Sequence, residues 1–180
     1  MITYVMGYKD SGKSKYAEDR LRLLCRKTLY IGTLPDNVYY ADTIRRHKVR
    51  RPADWGLMEL EGDPHNDMAC IRREYLKYDC VLLDGLAFYI ARQLMLFPDE
   101  LLSCKRELFG LLNTLSATDK HIMLVDTPVP DTMRGISGKV VSLVHRMIIN
   151  KSEQIIYVEN TIPREITARE ALLLDEAGKL

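Results

Sequence analysis

The residues best suited to chemistry stand at the start of the chain. Gly7-Tyr8-Lys9-Asp10-Ser11-Gly12-Lys13-Ser14 fits G-x-x-x-x-G-K-[ST] at every fixed position, after an apolar run and before a helical pattern. Two glycines let the backbone curl until successive N–H groups point inward as an anion nest. The helix that opens there adds partial positive charge. Lys13 supplies a mobile cation for the β- and γ-phosphates of a nucleotide, and Ser14 a hydroxyl for Mg²⁺. All eight residues are therefore expected at a nucleoside triphosphate, GTP or ATP, with Lys9 and Asp10 placed to set base or partner preference. Asp84 ends the apolar run Cys80–Asp84 and is the carboxylate expected to hold Mg²⁺ with Ser14. Capping of the next helix is the plainer role for such an aspartate. Asp126, which ends His121–Asp126, is its rival.

A second cluster is Arg45-Arg46-His47-Lys48-Val49-Arg50-Arg51-Pro52, five cations with no acid among them. It reads either as a solvated helix face or as a surface for phosphate. His47 stands in its middle. A neutral imidazole can attack the α-phosphorus of a nucleotide and form a phosphoramidate. Neighbouring cations would lower its pKa by like charge and stabilise the charge of the transition state. The other histidines are weaker candidates: His65 in a Gly-Asp-Pro-His-Asn turn, His121 opening a strand, His145 on a helix face. No pair has metal-ligand spacing, so no zinc site is expected. Trp55 either stacks on a base or packs behind Pro52. Arg134 follows a proline-rich loop as an in-site cation or a surface arginine. Met123, Met133 and Met147 read as core.

These side chains need a frame. Strands are expected at Ile2–Met6, Thr28–Thr33, Trp55–Glu61, Cys80–Asp84, His121–Asp126 and Gln154–Val158. Helices are expected at Asp10–Arg26, Asp36–Arg51, Pro64–Tyr78, Leu86–Leu96, Glu100–Leu115, Thr132–Ile149 and Ala168–Ala177. Tyr16, Ala17, Leu21, Leu24 and Cys25 fall on one side of the first. Strands apolar on both faces that alternate with helices predict an α/β protein with a mainly parallel sheet and helices on both faces. Ligands of such sheets bind beyond the carboxyl ends of the strands, which singles out 7–14, Thr33–Asp36, Asp84–Gly85 and Asp126–Thr127.

Composition limits the alternatives. The chain has 180 residues, 47% of them apolar and 28% charged, the balance of one globular domain rather than a disordered or fibrous chain. A net charge of +1 argues against binding nucleic acid by bulk charge. No apolar run approaches the roughly 20 residues that span a bilayer. The first residues read as a strand rather than a signal peptide. Cys25, Cys70, Cys80 and Cys104 stand alone in sequence and are expected as reduced, buried thiols of a cytoplasmic protein.

GYKDSGKSKYAE, LYIGT, IRRHKVRRPADWGLMELE and CVLLDGL together resemble the bifunctional adenosylcobinamide kinase / adenosylcobinamide-phosphate guanylyltransferase family, over roughly residues 1–86. The spacing His47, Arg51, Pro52, Trp55 is more specific than the glycine-rich loop alone. The resemblance implies a P-loop NTPase-like three-layer fold in a homo-oligomer, often a trimer. It implies two reactions of cobalamin biosynthesis: phosphorylation of a corrinoid side-chain hydroxyl, then transfer of GMP from GTP through a guanylylated histidine. His47 matches that histidine. Gly7, Gly12, Lys13 and Ser14 match the phosphate loop, Glu59 the acid after the Arg-Pro-x-x-Trp stretch, and Asp84 the strand-end acid. With these, Thr33 and Arg51 are expected at the nucleotide. Three places depart from the pattern. The family strand that ends Asn-Glu before a Gly-rich loop here reads Val125-Asp126-Thr127-Pro128-Val129-Pro130. A family asparagine is replaced near Ala91-Arg92, and Gly138 is followed by Lys139-Val140-Val141. The expectation is a divergent member with an intact nucleotide half and an altered or lost acceptor, and with it the loss of corrinoid binding or of one of the two activities. A nucleotide-binding module without turnover, or a kinase of another small molecule without the histidine step, remain the alternatives.

Overall fold

The computed structural model describes residues 1–34, 41–60, 64–87, 89–90, 101–128 and 136–177. In chain order the elements are β1 (Ile2–Met6), α1 (Lys13–Leu24), β2 (Thr28–Gly32), α2 (Ala41–Arg50), β3 (Gly56–Glu59), α3 (Pro64–Glu74), a 3₁₀ turn (Tyr75–Lys77) and β4 (Cys80–Asp84). A helical turn follows within 86–90. Then come α4 (Leu101–Ser116), β5 (His121–Asp126), α5 (Ile136–Lys151), β6 (Gln154–Glu159), β7 (Ile162–Glu165) and α6 (Ala168–Ala177).

The seven strands form one sheet in the order β3-β2-β4-β5-β1-β6-β7. Every pairing is parallel except β6 with β7. Successive side chains of a strand point to opposite faces, and each face has its own core. Tyr4, Leu29, Ile31, Val81, Leu83, Ile122, Leu124 and Ile155 face α3, α4, α5 and α6. Val5, Tyr30, Cys80, Leu82, Met123, Val125, Ile156 and Val158 face α1, with Tyr16, Cys25 and Trp55 at the margin. The result is the expected three-layer α/β arrangement, with the carboxyl ends of all six parallel strands on one edge. Trp55 is half-buried and packs against this second core.

Three expectations need correction. Cys25 and Cys80 are not isolated thiols: they are joined as a disulfide pair, Cα to Cα 6.1 Å. Cys25 ends α1 and Cys80 opens β4, and α1 packs over that strand, a proximity that 55 positions of sequence separation conceal. Cys70 and Cys104 lie outside the disulfide, and of the two only Cys104 is buried. Leu24, assigned to the buried side of α1, is exposed, while Glu18 is buried beside Ala17 and Leu21. Finally, β7 was not foreseen. Asn160 and Thr161 both take positive φ, the signature of a tight hairpin turn, and return the chain as an exposed antiparallel edge containing Pro163.

Candidate active site

The glycine-rich loop joins β1 to α1 at the carboxyl edge of the sheet. Gly12 has φ +92°, a left-handed conformation that favours glycine. A Cβ on Gly7 would lie 2.6 Å from the Val158 carbonyl of β6. The loop is braced from the far side by the β6–β7 turn, where Thr161 N–H donates to the Ser11 carbonyl at 2.9 Å. Within the loop the Tyr8 carbonyl accepts from Ser11 N–H and from Lys13 Nζ, both at 3.2 Å. Tyr8, Lys9 and Asp10 are exposed; Ser11 is buried and its hydroxyl has no hydrogen-bond partner among the described residues. Lys13 and Ser14 open α1. Burial lowers the Lys13 pKa, opposed by the nearby charges of Asp84, Asp126 and Asp10.

Asp84 ends β4, two strands from β1. Its position is fixed by Thr33, which follows β2: Thr33 Oγ1 donates to the Asp84 carbonyl at 2.6 Å and lies 3.0 Å from the Gly85 carbonyl. That hydroxyl is thus committed to the backbone rather than turned toward the loop. Gly85 has φ +89°, and a Cβ there would meet Thr33 Oγ1 at 2.5 Å. Asp126 is different. It is buried and accepts the Ala87 N–H at 3.2 Å, which caps the helical turn at 86–90. Burial pushes its pKa up to about 7.

α2 carries His47 inward. The side chains of His47 and Asp84 are each 14% exposed, with His47 Nδ1 3.6 Å from Asp84 Oδ2. Tyr30 of β2 stands between them, its hydroxyl 3.2 Å from His47 Nδ1 and 3.2 Å from Asp84 Oδ2. Arg51 lies over the Tyr30 ring, its guanidinium carbon 3.3 Å from the ring centroid. The His47 pKa is lowered chiefly by burial; Asp84 opposes this, and Arg50 and Arg51 add to it. Like charge was the expected cause and is real, but it is secondary to desolvation.

The basic run is mostly engaged with protein. Arg50 grips the fully buried Glu18 carboxylate of α1 through two guanidinium nitrogens, Nη2 at 2.8 Å. Arg22 of α1 donates to the Arg50 carbonyl. Lys48 pairs with Glu59 at 3.1 Å and Arg45 with Asp42 at 3.0 Å. Glu59 therefore sits at the end of β3 in an ion pair, with β2 between it and β4. So two anchors dock α2: the Arg50–Glu18 pair on the helix side and Tyr30 with Arg51 on the sheet side.

Tyr30 and Glu18 escaped the sequence reading. Glu18 carried a signal, a charge at helical spacing within the apolar side of α1; Tyr30, in a strand buried on both faces, carried none. His145, assigned only to a helix face, is buried and paired through Nδ1 with Asp175. Arg134, Ala91, Arg92, Met133 and the 129–135 segment lie outside the described residues, as does the side chain of His65. Among the described residues no group of three His, Cys, Asp or Glu could hold a metal ion, and no helix is long and apolar enough to cross a membrane.

Fold and loop together define a class: a mainly parallel α/β protein whose glycine-rich loop opens a helix beyond the first strand, the arrangement of nucleotide-binding enzymes. The chain belongs to the cobinamide kinase / cobinamide phosphate guanyltransferase family, whose family model matches residues 3–173. It is thus a member of a transferase family of cobalamin biosynthesis. No curated protein matches the chain. A matching solved structure is the P4 protein from bacteriophage phi6 in complex with ADP, 13% identical with a TM-score of 0.41. The match covers 91% of this chain and 53% of that one, so the chain spans about half its length.

Proposed function

We propose that the protein is a two-step transferase that phosphorylates a cobinamide side-chain hydroxyl and then passes GMP from GTP, through guanylylated His47, to the phosphate so formed. The observation that carries this reading is the inward placement of His47, whose ring meets the same carboxylate, Asp84, whose charge is felt by Lys13 of the loop. An imidazole on a solvated cationic face would have no such neighbour. Family membership over residues 3–173 supports the substrate class.

In this reading Lys13 leaves the Tyr8 carbonyl for the β- and γ-phosphates, and the N–H groups of 7–14 surround the phosphate chain. The Asp84 carboxylate and the Ser14 hydroxyl are hard oxygen donors of the kind Mg²⁺ takes, and they are the residues that would hold it. Mg²⁺ supplies charge neutralisation on the phosphates when bound. His47, kept largely neutral by burial, retains the lone pair that a nucleophile needs.

Incubation with α-³²P-GTP and Mg²⁺ tests this. The expected product is an acid-labile, base-stable label on the wild type and none on His47→Ala. Phosphorylation of cobinamide without such a label would reduce the protein to a kinase. Bound nucleotide with no turnover would reduce it to a binding module.

A further inference from the structure

The sequence singles out His47 but not the group that aims it. Tyr30 lies in the middle of β2, buried, with Arg51 pressed on its ring. Its hydroxyl touches two partners at once, Asp84 Oδ2 and His47 Nδ1, each at 3.2 Å. A phenol has one proton to give, and a carboxylate can only accept. The proton therefore goes to Asp84, and the lone pairs of the phenol oxygen face Nδ1. The opposite arrangement, with the proton toward Nδ1, would set the phenol oxygen against the carboxylate oxygen with no hydrogen between them. A neutral imidazole carries a single N–H. If Nδ1 holds it, Nε2 has the lone pair.

We infer that Tyr30 is a positioning residue that fixes His47 as the Nδ1–H tautomer and thereby selects Nε2 as the atom that attacks the α-phosphorus. This rests on the reading of His47 as the guanylylated residue. In the step, Nε2 forms a bond to the α-phosphorus. The bond from that phosphorus to the oxygen bridging to the β-phosphate breaks, and its electron pair leaves with pyrophosphate. The Nδ1 proton stays on the ring, so positive charge develops 3.6 Å from Asp84, with the Tyr30 hydroxyl between. When the acceptor phosphate oxygen attacks in turn, the N–P bond breaks and its electron pair returns to Nε2. Arg51 holds the phenol in place by stacking, so the hydroxyl cannot swing away without losing that contact.

The test has two parts, and the first needs neither nucleotide nor variant activity. Long-range ¹H–¹⁵N spectra of histidine-labelled protein, with the His47 signals assigned by their loss in His47→Ala, report the tautomer. Nδ1–H is expected in the wild type, with loss of that preference in Tyr30→Phe. The second part is chemical. The GMP label on the wild type should sit on Nε2. Tyr30→Phe should form it roughly 10²-fold more slowly with the nucleotide KM unchanged, a split that a general loosening of the fold would not give. An Nε2–H ring in the wild type, a label on Nδ1, or a Tyr30→Phe protein that labels at the wild-type rate each overturns the inference. A wild type that takes no label overturns the reading of His47 as nucleophile instead, while the spectrum still decides the tautomer.

Discussion

The Arg50–Glu18 pair offers a test of what docks α2. Glu18 has no exposed side-chain surface, whereas Arg50 is 31% exposed. The two truncations should therefore differ. In Glu18→Ala the arginine loses its partner but can turn its head toward water along its flexible stem. In Arg50→Ala the carboxylate is left inside the protein with no cation beside it. Breaking a buried pair from one side costs about 3–5 kcal/mol. The loss has a ceiling, because a stranded carboxylate takes up a proton instead; for an ordinary Glu value near 4.3 that costs about 4 kcal/mol at pH 7, at about 1.36 kcal/mol per pH unit. At roughly 2–4 °C per kcal/mol for a chain of this length, Arg50→Ala should lower Tm by about 8–16 °C. Glu18→Ala should lower it by clearly less. The double variant Glu18→Leu/Arg50→Leu should recover much of the loss, since apolar residues of similar volume can replace a buried pair. Thermal melts followed by circular dichroism give all the values. If Glu18→Ala were as damaging as Arg50→Ala, the buried carboxylate would not be the costly partner and the argument would fail.

Two further outcomes follow from the site's supports. Asp126 has a folded pKa of about 7 against an ordinary value of 3.8, with burial as the main cause. Folding therefore retains a proton between those values that the unfolded chain releases, and this contribution to stability is lost as pH rises toward 7, by at most about 1.4 kcal/mol per pH unit. Asp126→Asn keeps an acceptor for Ala87 N–H and abolishes the titration, so urea melts from pH 5 to 8 should show the variant gaining on the wild type up to pH 7 and levelling off above; a constant difference refutes it. Gly85→Ala forces a left-handed alanine, about 1–2 kcal/mol, against the Thr33 hydroxyl 2.5 Å away. Its Tm should fall by at least about 3 °C, and an unchanged melting curve would show that the turn after β4 adapts freely.

How much was legible depended on whether the signal was local. β1, β4 and β5 match their sequence limits residue for residue, because a short apolar run with a polar end carries its own boundaries. The phosphate loop is equally local: its glycines, lysine and serine are consecutive. Everything that joins α2 to the rest was hidden, since the partners lie far apart in sequence. Glu18 meets Arg50, Tyr30 meets both His47 and Asp84, and Cys25 meets Cys80. The cations of 45–51 looked like a free surface for phosphate because the acids that engage three of them, Glu18, Asp42 and Glu59, lie outside the run. β7 was missed because its four residues are exposed and include a proline, and no alternation marks them.

The state of His47 shows why these distant contacts matter more than the motif. Five influences act on its ring. Arg50 and Arg51 disfavour the charged form, Asp84 and Glu18 favour it, and burial disfavours it most. A histidine in the same basic run but facing solvent would feel the arginines through water, where such charges are screened. It would also keep its hydration. Docking of α2 changes this: it removes the water, brings Asp84 near enough to steady positive charge that develops later, and yet leaves the resting ring biased toward the neutral form. The Glu18 carboxylate contributes twice, by holding Arg50 and its helix turn in place and by adding its own charge in favour of the cationic ring. A nucleophile that must be neutral before the reaction and cationic after it needs both desolvation and a nearby anion. Neither can be supplied by the arginines beside His47 in sequence; both come from α1, β2 and β4.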